Sequence, residues 1–236
     1  MAINTSSLTR QARASRTTVF MKILMAVSGA LFVLYVLVHM YGNLKIFAGT
    51  EAFDEYALHL RTMFTPILPF GGLLWIIRVV LLVAVVVHIW AAFTLWARAQ
   101  GARSTRYVAK EAAKRTLKTK WMRWGGVALI LFIIWHLLQF TIVKFNVGSE
   151  NAGHSAGALV ISSFQVWWVT LIYLLAMVAL ALHLYHGVWS ASQTLGWANT
   201  ARARRAWKAT AHVLAFVIAV GFIVPPLAIL AGIVKG

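Results

Sequence analysis

The sequence predicts an all-α membrane protein: a bundle of five transmembrane helices preceded by a short polar tail. Three observations carry this. Of 236 residues, 61% are hydrophobic and 11% charged, whereas a soluble domain is nearer half apolar and a quarter charged. The mean hydropathy is +0.79. Five apolar stretches are each long enough to cross a bilayer, which takes ~20 helical residues.

The elements follow in chain order. Residues 1–18 are polar and basic and have no short apolar core ending in a cleavage site, so they read as a tail; residues 19–236 form the membrane domain. The first span covers 19–47. A mixed stretch at 51–64, ahead of Pro66 and Pro69, predicts a short interfacial helix. The second span covers 70–97 and the third 121–145. Residues 146–158, rich in Gly, Asn and Ser, predict a loop. The fourth span is placed at 160–193 and the fifth at 207–234, where Pro225-Pro226 removes two backbone donors and should kink or end the helix. Trp75, Trp121, Trp124, Trp167 and Trp168 mark membrane interfaces.

The net charge of +17 is distributed between the spans. Arg10, Arg13, Arg16 and Lys22 precede the first span. Nine basic residues from Arg98 to Arg123 lie around the loop between spans two and three, and Arg202, Arg204, Arg205 and Lys208 lie between four and five. The opposite loops hold Lys45, Arg61 and Lys144 with Glu51, Asp54, Glu55 and Glu150. The positive-inside rule then puts the N-terminus in the cytoplasm and the C-terminus outside. No soluble basic domain exists to hold a duplex, so nucleic acid is not an expected partner. The absence of cysteine excludes disulfides, thiolate zinc sites and iron–sulfur ligation within the chain.

Four of these apolar spans contain deep histidines: His39, His88, His136 and His183, with His186 beside the last. Ionisable groups at such depth are costly and usually functional. At ~1.5 Å rise per residue, His39 lies roughly 25 Å beyond Lys22 and His136 roughly 20 Å beyond Arg123, while His88 lies roughly 15 Å before Arg98. His183 is comparably far from the cytoplasmic end of its span. Depth therefore pairs His39 with His136 towards the outer side, and His88 with His183 towards the inner side.

A neutral imidazole is a good iron ligand, and two on facing helices can clamp a porphyrin. Filling both axial positions leaves no site for O₂, so such a haem carries electrons. The competing reading is that each imidazole hydrogen-bonds a polar group on another helix. Spacing alone leaves His183 and His186 both open, since they share a face. Gly187 and Gly42 leave room for a flat macrocycle on their helices. His59, His154 and His212 read as solvated. Arg78, ten residues from His88 on the outer side, needs an anionic partner such as a propionate or a quinone oxygen, unless it snorkels to the headgroups. Ser28, on the face of His39 three turns earlier, either contacts a propionate or bonds back to its own helix.

The stretches His39-Met-Tyr-Gly42-Asn43-Leu44, Arg78 with His88-Ile-Trp, His136-Leu-Leu, and His183-Leu-Tyr-His-Gly187 with Gln193-Thr-Leu-Gly196 resemble the cytochrome b subunit of succinate dehydrogenase and fumarate reductase, in its single-polypeptide, five-helix, di-haem form. The likeness runs from Thr18 into the fifth span. It implies axial ligands on helices one to four at His39, His88, His136 and His183, its His-x-x-x-Gly pattern selecting His183. It implies two haem b groups, menaquinone as substrate, and a multi-pass place in a bacterial cell membrane. It also implies an iron–sulfur subunit and a flavoprotein subunit with FAD docked on the cytoplasmic face, with the dicarboxylate chemistry there and none in this chain. The Arg98–Arg123 region would then be a docking surface. A higher oligomer of the complex is compatible with this picture.

Quinone chemistry needs a group that exchanges protons with water. Glu51, Asp54, Glu55 and His59 fall together in the outer interfacial segment and suit that task; the alternatives are a solvated helix face, or a quinone on the inner side near Ser28. Three other functions compete: the di-haem anchor of another respiratory dehydrogenase, a haem-free quinone-binding anchor, and a proton-coupled transporter, which would require inverted repeats and broken helices.

Overall fold

The computed structural model describes residues 5–101, 110–142, 147 and 155–235, with side chains from residue 18 in the first helix and from residue 121 in the fourth. All regular structure among the described residues is helical. Helix α1 (Thr5–Leu44) ends in a 3₁₀ turn at Lys45–Ala48, followed by α2 (Thr50–Thr62) and α3 (Gly72–Gly101). Helix α4 (Lys110–Leu137) runs on into a π turn at Leu138–Ile142; then come α5 (Ala156–Phe164), α6 (Trp167–Thr194) and α7 (Ala201–Leu230). Five lengths are long and apolar enough to cross a membrane: Thr18–Ala48, Gly72–Gly101, Trp121–Ile142, Trp167–Thr194 and Ala201–Leu230.

The boundaries differ from expectation in four places. The α1 backbone is already helical from Thr5, inside the stretch read as a tail. Residues 98–120, read as the loop between spans two and three, are helical up to Gly101 and again from Lys110. The start of the fourth span is a separate element: α5 stops at Phe164, and Val166, in an extended conformation (φ −85°, ψ 111°), begins α6. Thr170 Oγ1 donates to the Phe164 carbonyl (2.8 Å), satisfying an acceptor that the break leaves orphaned. Finally, α7 continues through Pro225 and Pro226 to Leu230. The residue four places before Pro225, whose carbonyl the proline ring crowds, is Gly221. Gly221 also lies against α1, where a Cβ would overlap Met40 Sδ.

Helix α6 is the hub. It packs on α1, α4, α5 and α7, while α1 also packs on α3 and α7. The first three spans bury little of their surface within the chain, as helices that face lipid would. One end of the bundle gathers cations and indoles. Arg98 donates to Thr18 Oγ1, the Arg123 guanidinium lies 5.1 Å from the Trp96 ring, Lys208 lies 5.1 Å from Trp189, and Trp197 stacks on Trp207. The opposite end closes over an apolar cluster of Ile46, Ile161, Phe164, Val169, Tyr173 and Ile229.

Helices α2 and α5 cap that second end and are joined by one carboxylate. Asp54 Oδ1 accepts from the Gly157 amide (2.9 Å) and Oδ2 from the Ser155 hydroxyl, while Ser155 in turn accepts from the Ala158 amide as N-cap of α5. Asp54 thus satisfies one orphan N–H of the first turn of α5, that of Gly157, and the hydroxyl of its N-cap serine. The backbones approach closely, since a Cβ on Gly157 would sit 3.2 Å from Thr50 Cα. Asp54→Ala should therefore cost about 1–2 kcal/mol and lower the thermal unfolding midpoint in detergent, whereas Glu51→Ala and Glu55→Ala, on exposed positions of the same helix, should leave it unchanged; equal midpoints for all three would refute the capping role.

Candidate functional site

The four deep histidines lie on four different helices and meet in two pairs. The His39 and His136 ring centroids are 5.8 Å apart, and those of His88 and His183 are 6.2 Å apart, the same pairs that depth predicts. All four are half-buried, whereas His59, His186 and His212 are exposed. On α6 it is His183 that stands beside His88, with exposed His186 one turn on.

The helices that contribute each pair make no extensive backbone contact with each other. Helix α1 packs on α3 and α6, and α6 packs on α4, but neither α1 with α4 nor α3 with α6 packs extensively. Each pair of imidazoles therefore bridges two helices held apart by a third. Glycines stand where the rings of the His88–His183 pair approach neighbouring helices: a Cβ on Gly29 of α1 would lie 3.6 Å from His88, and one on Gly126 of α4 would lie 3.7 Å from His183. Gly187 has open space beside it, as its expected role requires. Gly42 does not, because the Tyr56 ring already fills the face it leaves bare.

In one ring of each pair a hydroxyl on another helix reaches Nδ1. Ser28 Oγ donates to the Leu24 carbonyl (2.7 Å) and lies 3.0 Å from His88 Nδ1. Having given up its hydrogen, the hydroxyl can only accept there, so Nδ1 carries the proton and Nε2 keeps its lone pair. Ser28 thus makes the expected back-bond and also reaches a histidine on another helix. In the other pair, Tyr173 Oη donates to Gln139 Oε1 (2.9 Å) and lies 3.3 Å from His136 Nδ1. The partner rings differ. His183 Nδ1 is buried without a hydrogen-bond partner, which costs about 1–3 kcal/mol, and His39 stacks on Tyr35 with its plane tilted by 11°.

This donor set suits a particular kind of metal. Among the described residues no group of three or more His, Cys, Asp or Glu side chains gathers to hold an ion, so a bare cation would lack ligands. Two imidazoles instead complete a metal that brings its equatorial ligands with it, as porphyrin iron does. Two metal–nitrogen bonds of about 2.0 Å, plus half a ring at each side, set the centroids about 6 Å apart. Both pairs fit a haem by ring spacing and by the separation of the helices behind them.

The remaining expected residues are dispersed. Exposed Arg78 sets its guanidinium 5.1 Å from the Trp75 ring and, among the described residues, meets no carboxylate. Glu51, Glu55 and His59 are exposed on α2, while Asp54 is occupied by the α5 cap. Beside them the Tyr56 hydroxyl is pushed above its usual pKa, first by desolvation and then by the neighbouring Tyr41, with Lys45 acting in the opposite sense. The side chains of Arg106, Lys110, Lys114 and Arg115, and all of residues 148–154 including His154, lie outside the described residues. The sequence reading missed Tyr173 and Gln139. Gln139 carried a usable signal, a lone amide in an apolar run three residues after His136, whereas Tyr173 carried none. Compared with known proteins, the chain matches no protein-family model, no curated protein and no solved structure.

Proposed function

We propose that this chain is the di-haem cytochrome b anchor of a bacterial succinate:quinone oxidoreductase, carrying electrons between a cytoplasmic iron–sulfur subunit and menaquinone. The observation that supports it most is the arrangement of four imidazoles, one from each of four helices, in two pairs about 6 Å apart, with no third His, Cys, Asp or Glu gathered beside them among the described residues. The order of the histidine, glycine and arginine motifs along the chain supports the succinate-linked assignment over other respiratory anchors.

In this reading His39 and His136 hold one haem and His88 and His183 the other. A haem held between the imidazoles of each pair would supply one-electron transfer. The chain's own residues do the rest. Ser28 keeps the proton on His88 Nδ1, so that Nε2 presents a lone pair. Apolar helices exclude water from the rings. Arg78 provides a cation at the level of the His39–His136 pair, suited to a propionate or a quinone oxygen. Glu51, Glu55 and His59, exposed on α2, pass protons between quinone and water, and Asp54 shapes that surface by holding α5. The basic end of the bundle, with N-terminus in the cytoplasm, receives the iron–sulfur and flavoprotein subunits with their clusters and FAD.

A reduced-minus-oxidised spectrum of the purified complex should show two low-spin b haems per chain. His88→Ala and His183→Ala should each remove one and the same haem, His39→Ala and His136→Ala the other, and His186→Ala neither. A complex without haem, or one that loses a haem with His186→Ala but not with His183→Ala, contradicts this assignment.

The quinone side is tested separately, with Glu51→Gln, Glu55→Gln and His59→Gln in membranes. Succinate oxidation with an acceptor that bypasses quinone should persist in all three, while quinone-coupled turnover should fall by about 100-fold or more in one, the low end of what an acid–base group contributes. Full coupled activity in every variant would move the site to the other end of the bundle, near Ser28.

A further inference from the structure

We infer that Tyr173 and Gln139 are positioning residues for His136, fixing which ring nitrogen keeps its lone pair and how strongly it donates. The inference rests on the di-haem reading above.

Gln139 has no accessible surface, lies in the π turn directly after His136, and leaves its amide nitrogen without a partner. A buried amide with half its hydrogen-bonding capacity unmet is costly, and a leucine would fill the same space more cheaply. The bond that Gln139 does make is to Tyr173, itself 7% exposed and inside the apolar cluster of the capped end. A phenol has one hydrogen to give. With that hydrogen on Gln139 Oε1, the Tyr173 oxygen meets His136 Nδ1 as an acceptor. Nδ1 then carries the proton, and Nε2 is left as the ligand.

The relay also sets donor strength. A histidine whose second nitrogen donates a hydrogen bond is a more basic ligand, and a more basic axial ligand favours ferric over ferrous iron, lowering the potential. The two pairs are unequal in this respect. His136 is held by a tyrosine backed by a buried amide, His88 by a serine, and His183 Nδ1 by nothing.

The experiment uses the whole complex carrying Tyr173→Phe or Gln139→Leu, with haem content, a redox titration and low-spin electron paramagnetic resonance as readouts. His39→Ala, which should retain the His88–His183 haem alone, identifies the signals. Tyr173→Phe is expected to shift the g values of the His39–His136 haem, raise its midpoint potential, and weaken its retention by 10- to 100-fold, leaving the other haem unchanged. Gln139→Leu is expected to act in the same direction. Wild-type g values and potentials in both variants would overturn the inference. So would equal shifts or losses at both haems, which mark a structural role, or a lowered potential, which would mean that Tyr173 donates to Nδ1 instead. A wild-type complex without haem would overturn the di-haem reading itself.

Discussion

An imidazole placed in an apolar bundle is costly unless its nitrogens find partners, and two of the four deep rings find one on a neighbouring helix. Water is not at hand to satisfy them, and a polar group left unpaired there is expensive. His88 uses a hydroxyl from α1, and His136 a hydroxyl from α6. In both cases the partner comes from another helix, so the tautomer depends on the packing of two spans. The second nitrogen of each ring is what remains for a ligand.

The same constraint explains why α6 is central. It carries His183 and the tyrosine that bonds His136, and it packs on the helix of His136 and on the helix of His39. Helix α7 carries none of the four paired histidines. It packs on α1 and α6, reaching His39 through Phe222, whose ring is 5.7 Å away. Close approach of α7 to α1 depends on Gly221 beside Met40, so a residue without a side chain helps to place a side chain on a neighbouring helix.

Length and hydropathy made the five spans legible, because a bilayer imposes one dimension on every element that crosses it. Rise per residue also made the pairing of His39 with His136 and of His88 with His183 legible, since depth is a local property. What was not legible depends on partners distant in sequence. Asp54 looked like one of three similar acids on α2, and only the packing of α5 separates it from Glu51 and Glu55. The break before α6 was hidden because the polar Ser162, Ser163 and Gln165 are flanked by Val160, Ile161 and Phe164 on one side and by Val166 to Val169 on the other, so averaged hydropathy cannot see where the helix stops and restarts. The proline pair does not end α7, which continues to Leu230, and the carbonyl that the first proline ring crowds belongs to Gly221.

The carboxylate that ties α2 to α5 bears on how the chain is made. Asp54 and Ser155 are 101 residues apart, an interval of about 5–20 s at ordinary rates of synthesis. During that time α2 lies at the membrane surface with its carboxylate uncommitted and with no α5 to cover the end of the bundle. The first two spans, bearing His39 and His88, are complete before either partner histidine has been translated. Closure of that end is therefore a late event, and any group seated between the helices has an open door until the second half of the chain arrives.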